Sequence, residues 1–165
     1  MNKIIPNQSG MDFIANNSFY LEEEDVYKNI GDKIRSVEFI RVKEDMLLFV
    51  EAKTSFPNPN SPNVNNKERF QSEINQICEK FIHSLNLFSS IEIGVSKKNY
   101  PDDFIKPKKV SIVFLLVIKN HEINWCRPIV NKINVELPSY LKKIWKPIVY
   151  VINQQKAIEQ GIIAC

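Results

Sequence analysis

SVEFIRVKEDMLLFVEAKT, residues Ser36 to Thr54, reads as a β-hairpin and sets the rest of the chain in order. A two-residue turn at Glu44-Asp45 pairs Lys43 with Met46, so that paired positions sum to 89. Glu38 is then expected directly opposite Glu51, with Cβ atoms about 4.5–5.5 Å apart. Lys53 follows two residues later and shares the face of Glu51, because side chains alternate along a strand. Like charges opposed across a sheet are destabilising unless compensated. A divalent cation is the natural compensation, and carboxylates that hold one beside a lysine suit phosphodiester chemistry.

The second strand, Met46 to Val50, is apolar on both faces, which predicts cover on both sides. A Pro/Asn-rich loop, Ser55 to Asn66, leaves from its end. From about Lys67 to Ser89, Phe70, Ile74, Ile77, Cys78, Phe81, Leu85 and Phe88 recur at spacings of three and four, predicting a long amphipathic helix. Glu73, Gln76, Lys80 and His83 fall off that stripe, His83 nearly opposite it, as a solvated surface side chain. The apolar run Val110 to Ile118 predicts a buried strand.

Upstream of the hairpin, residues 1–17 are expected to form a loosely ordered arm, and Phe19 to Glu22 a short strand. One or two helical turns over Glu23 to Ile30 would end at Gly31. Downstream, Glu122 to Glu136 predicts a helix interrupted near its start by Pro128. Pro138 to Trp145 predicts a short helix, Ile148 to Ile152 a second buried strand, and Gln154 to Gln160 a closing helix ended by Gly161. Strands alternating with helices predict an α/β domain, a mixed sheet flanked by helices.

The chain has 165 residues, 44% of them hydrophobic, a net charge of +3 and no long apolar segment. These values predict one globular domain, with no signal peptide and no membrane partner, and a cytoplasmic setting. Three widely spaced cysteines, Cys78, Cys126 and Cys165, make neither a disulfide framework nor a metal motif. Four scattered glycines exclude a phosphate-binding Gly-rich loop, and His83 and His121 have no metal spacing with the cysteines. The lysine clusters Lys106–Lys109 and Lys142, Lys143, Lys146 read as solvated faces, with phosphate-backbone contact as the functional alternative. Trp125, Trp145 and Tyr140 read as core or capping residues.

Val37-Glu38, followed thirteen positions later by Glu51-Ala52-Lys53 at the end of an apolar strand, resembles the PD-(D/E)XK nuclease superfamily. The order of the following helix and strand is similar too, so the resemblance spans about residues 19–119. It implies a restriction-endonuclease-like fold in which residues 120–165 form a C-terminal helix–strand–helix addition. It also implies a nuclease acting on DNA or RNA with Mg²⁺ or Mn²⁺. Glu38 and Glu51 would be metal ligands, the Ala52 carbonyl a third, and Lys53 would assist the attack. Val37 stands in place of the superfamily's proline and Glu38 in place of its aspartate. No single residue among Glu22, Glu23, Glu24 and Asp25 is selected as the upstream acid. The alternative is a catalytically silent domain of the same fold acting as a scaffold or binding module. A homodimer or a larger partner protein is compatible with either.

Overall fold

The computed structural model describes residues 1–165, except for the side chain of Asp32. A two-stranded hairpin, β1 (Ile4–Pro6) and β2 (Asp12–Ile14), precedes β3 (Ser18–Phe19) and a short helix α1 (Asp25–Ile30). The predicted hairpin follows as β4 (Phe39–Lys43) and β5 (Met46–Lys53). Next come the long helix α2 (Val64–Glu92), β6 (Ser111–Ile118), α3 (Ile123–Glu136), α4 (Ser139–Trp145), β7 (Ile148–Asn153) and α5 (Gln154–Glu159).

The larger sheet has the order β3-β4-β5-β6-β7. β3, β4 and β5 pair antiparallel, while β5, β6 and β7 run parallel. This is a mixed five-stranded α/β sheet flanked by helices. Both parallel connections step the same way across the sheet, and right-handed crossovers therefore put α2 and α3 on one face. Ile74, Ile77, Phe81 and Leu85 of α2 and Ile129 and Ile133 of α3 accordingly share one core with Phe49, Phe114 and Leu116 of the sheet. Phe81 stacks on Phe114 with ring centroids 4.6 Å apart.

The opposite face is closed by the two chain ends. Met11 and Phe13 from the first hairpin, and Ala157, Ile162 and Ile163 from the C-terminal segment, cover Phe39, Leu48, Val50 and Leu115. β5 is thus buried on both sides, as its apolar run requires.

The first hairpin overturns the expectation of a loose arm. Met11, Phe13 and Ala15 are fully buried, Phe13 packs edge-on against Phe39, and the Ile14 N–H donates to the Ile162 carbonyl at 2.9 Å. Its buried anchors alternate, but over only five residues of a segment otherwise rich in polar side chains, too short a run to give a clear strand signal. Three other readings change. α2 begins three residues earlier and ends three later than the stripe suggested, started by the Asn63 side chain, which accepts from the Asn66 N–H. α3 continues through Pro128. The carbonyl that Pro128 leaves without its helical donor belongs to Asn124, which is exposed to solvent. Tyr140 and Trp145 are 58% and 40% exposed rather than core, while Trp125 is half-buried against His121.

If the first hairpin is structural, Phe13→Ala should destabilise the protein by about 3–5 kcal/mol in urea denaturation. A loss under about 1 kcal/mol would mark the segment as detachable.

Candidate functional site

The β4–β5 register is as the turn dictates, from Lys43↔Met46 to Phe39↔Val50. It stops one residue short of the expected Glu38–Glu51 pair. The Glu38 N–H donates to the Val50 carbonyl at 2.9 Å, although Val50 is already the partner of Phe39. Two residues of one strand therefore share one residue of the other, in the manner of a β-bulge, which re-aims a side chain. Glu38 consequently lies beside Val50 and not squarely across from Glu51. The cause is tertiary: α2 holds the incoming chain, with the Val37 N–H donating to Ser84 Oγ at 2.8 Å and the Arg35 N–H to His83 Nδ1 at 3.1 Å. His83 is thereby a capping acceptor, not a free surface residue.

Glu51 projects from β5 toward α2 and is only 1% exposed. Its cation is Lys80, which lies one turn along α2 from Ile77 on the edge of the apolar stripe. Lys80 Nζ donates to Glu51 Oε1 at 2.7 Å. Lys53 also faces α2, as alternation requires, but pairs with Glu73 at 3.0 Å. Glu73 and Lys80 are seven residues apart, so two helical turns set them on one line of α2 facing the alternate β5 residues 51 and 53. The lysine in direct contact with the buried carboxylate is Lys80.

Burial pushes the Glu51 carboxyl up to about 7, helped by the nearby Glu38 charge and opposed by Lys80 and Lys53. Glu51 Oε2 has no hydrogen-bond partner among the described residues. A buried carboxylate oxygen without a donor is costly.

Above this pair opens a polar cavity of about 370 Å³, lined by Glu22, Glu38, Lys80, Tyr20, Asn7 and Gln8 among others. The turn between β1 and β2 forms its far wall. Asn7 Nδ2 donates to Glu38 Oε2 at 2.7 Å, and Asn7 Oδ1 accepts from the Ser9 N–H. Gly10 completes this turn at φ +72°, and its carbonyl accepts from Lys119 Nζ at 2.9 Å. A Cβ there would come within 2.8 Å of that nitrogen. Burial, then Glu23 and Glu38, raise the Tyr20 hydroxyl above its ordinary pKa. Of the upstream acids, Glu22 reaches the cavity and accepts from Ser36 Oγ at 3.3 Å. Glu24 is instead buried elsewhere, accepting from the Asn99 N–H, and Asp25 faces Lys97 at 3.9 Å.

The donor set can be tested for a hard cation. The Lys53 carbonyl accepts from the Lys119 N–H, so the backbone of Lys53 faces β6. By alternation the Ala52 carbonyl faces the β4 side, beyond the point where that ladder ends. Glu38, Glu51 and this carbonyl are oxygen donors, and Glu51 Oε2 lacks a partner. Among the described residues no cluster of three or more His, Cys, Asp and Glu is arranged to hold a metal. Mg²⁺ commonly takes only one or two protein carboxylates and keeps several waters of its own.

Other sequence features stay apart from this site. Cys78 and Cys126 are buried and free, and burial pushes the Cys78 thiol up to about 12, which makes it inert. No described helix is long and apolar enough to cross a membrane. Comparison with family models, with curated proteins and with solved structures finds no match.

The residues that local pattern missed are Lys80, Asn7 and Tyr20, while Glu22 stood unselected among four acidic candidates. Only Lys80 had a signal, its heptad spacing from Glu73 along the seam of the stripe.

A carboxyl held near 7 while the unfolded group titrates near 4.5 favours folding only in its protonated form. Its contribution is complete below about pH 4.5 and lost as pH rises through 7. Wild-type stability should therefore fall from pH 5 to pH 8 by about 1–3 kcal/mol more than that of Glu51→Gln, read from urea unfolding at each pH. Parallel profiles would contradict a buried, perturbed Glu51.

Proposed function

We propose that this chain is a divergent restriction-endonuclease-like protein that cleaves phosphodiester bonds of DNA or RNA with Mg²⁺ or Mn²⁺. What carries the reading is the buried Glu51 near the carboxyl end of β5, with one oxygen unsatisfied, paired with Lys80 and within electrostatic reach of Glu38. The arrangement of a hairpin, a long crossover helix and a parallel strand supports the fold assignment. Ligand sites in parallel sheets favour the carboxyl ends of strands.

Glu38 and Glu51 would hold the cation, with the Ala52 carbonyl as a further donor. A bound Mg²⁺ or Mn²⁺ polarises a phosphoryl oxygen and makes a bound water more acidic. Glu51 must give up its proton to serve as a ligand, so affinity should rise from pH 6 to pH 8. Lys80, lining the cavity, neutralises charge that develops on the scissile phosphate. Lys53, held by Glu73, adds positive potential at one remove. Asn7 positions Glu38.

One observation favours a second reading, a silent domain of the same fold acting as a scaffold. The ion pairs Lys80–Glu51 and Lys53–Glu73 already balance both β5 charges without a metal.

Incubation of the purified protein with single-stranded, duplex and branched DNA and RNA, in Mg²⁺ and in Mn²⁺, separates the two. The nuclease reading expects metal-dependent cleavage that falls by about 10²–10⁴-fold in Glu51→Ala and in Lys80→Met, and much less in Lys53→Met. Cleavage undiminished in both Glu51→Ala and Lys80→Met would remove this site. No cleavage together with no calorimetric metal binding would leave the silent domain.

A further inference from the structure

β7 is an edge of the large sheet. It pairs only with β6, and among the described residues nothing hydrogen-bonds to the backbone of Ile148 to Ile152 from its other side. Natural edges are guarded by charge, proline, bulges or covering loops. This one has none of the first three over its length: Ile148-Val-Tyr-Val-Ile152 is uncharged, regular and free of proline. The same five residues read identically in both directions about Tyr150.

We propose that β7 is the interface of a homodimer, in which two copies pair antiparallel about a two-fold axis beside Tyr150. A two-fold interface brings the same patch of both subunits together and must be self-complementary. The palindrome supplies that property. Ile148 faces Ile152 of the second copy, Val149 faces Val151, and Tyr150 faces its own equivalent. Each cross-strand pair is apolar, and no like charges meet within the strand.

Burial on the two faces agrees with this occupant. Val149 and Val151 lie under α3. Ile148 and Tyr150 on the other face are 43% and 48% exposed, and Tyr150 and Ile152 border an open groove of about 240 Å³ with Met46, Leu48 and Ile162. Just before the strand, Ile144 and Trp145 are 68% and 40% exposed. With aromatic side chains contributing about 150–250 Å² each, these four residues leave roughly 350–450 Å² of side chain uncovered. That is about half of the ~800 Å² per partner in a standard interface, before the edge backbone and polar rim are counted.

Antiparallel pairing in one sheet keeps both copies' helices on the same side. Five strand spacings then separate the two β5 strands, and the two Glu51 residues lie about 25 Å apart on one face. The dimer itself does not depend on what that site does.

Sedimentation of the full chain should give twice the 19.2 kDa monomer mass. Tyr150→Lys, which sets two like charges opposite each other, should raise the dimer dissociation constant at least 100-fold with an unchanged circular dichroism spectrum. Tyr150→Phe should keep the dimer, and this conservative variant guards against a folding artefact. In a Cys165→Ser background, Tyr150→Cys should cross-link to itself on oxidation. Ile148→Cys alone should not, but it should cross-link when mixed with Ile152→Cys. A monomer at 0.1 mM, a dimer indifferent to Tyr150→Lys, or self-cross-linking at residue 148 in place of 150 would overturn the proposal. Binding of an unrelated extended peptide to a monomeric β7 edge would overturn it as well.

Discussion

The Glu51 carboxylate lies in the seam between β5 and α2, where a charge is expensive to keep. Its side chain is 1% exposed, and one oxygen is held by Lys80 while the other has no donor. Removing a carboxylate from water costs several kcal/mol, and one ion pair repays that only in part. The remainder appears as the carboxyl's upward shift to about 7. An apolar residue at this position would give a better-packed seam. The arrangement makes chemical sense if the group exchanges its proton, or its lysine, for a cation.

The rest of the fold positions that group. The apolar faces of β5 fix it between two cores, and the crossover through α2 sets Lys80 and Glu73 over the alternate residues Glu51 and Lys53. Ser84 and His83 hold the chain before β4, and the bulge at Glu38 follows from where they hold it. The turn of the first hairpin closes the far side and fixes Glu38 through Asn7.

The hairpin was legible because its register follows from one turn, and turn and alternation are both local. The long helix was legible from its own periodicity, and β6 and β7 from their β-branched apolar runs, each within a few residues. β7, however, is an edge strand with Ile148 and Tyr150 half-exposed, not the buried strand its apolar run suggested. The site was legible only as far as local geometry reaches. Glu51 and Lys53 lie on one face as alternation requires, but which lysine meets Glu51 depends on the packing of α2, where Lys80 is 29 residues away. The bulge depends on backbone donors that bond to Ser84 and His83, and no hydrophobic pattern encodes those bonds. The first hairpin failed for a related reason. Met11, Phe13 and Ala15 dock it in strand alternation, but that alternation spans only five residues of an Asn-rich segment and is too short to stand out.

The central claim, that the buried Glu51 and the re-aimed Glu38 form a cation site guarded by Lys80, is tested most directly by a crystal soaked in Mn²⁺ at pH 8. Anomalous scattering should give one peak within about 2.5 Å of oxygens from both Glu38 and Glu51, with Lys80 Nζ displaced from Glu51 Oε1. A crystal with no peak there and the Lys80–Glu51 pair unchanged would contradict the account.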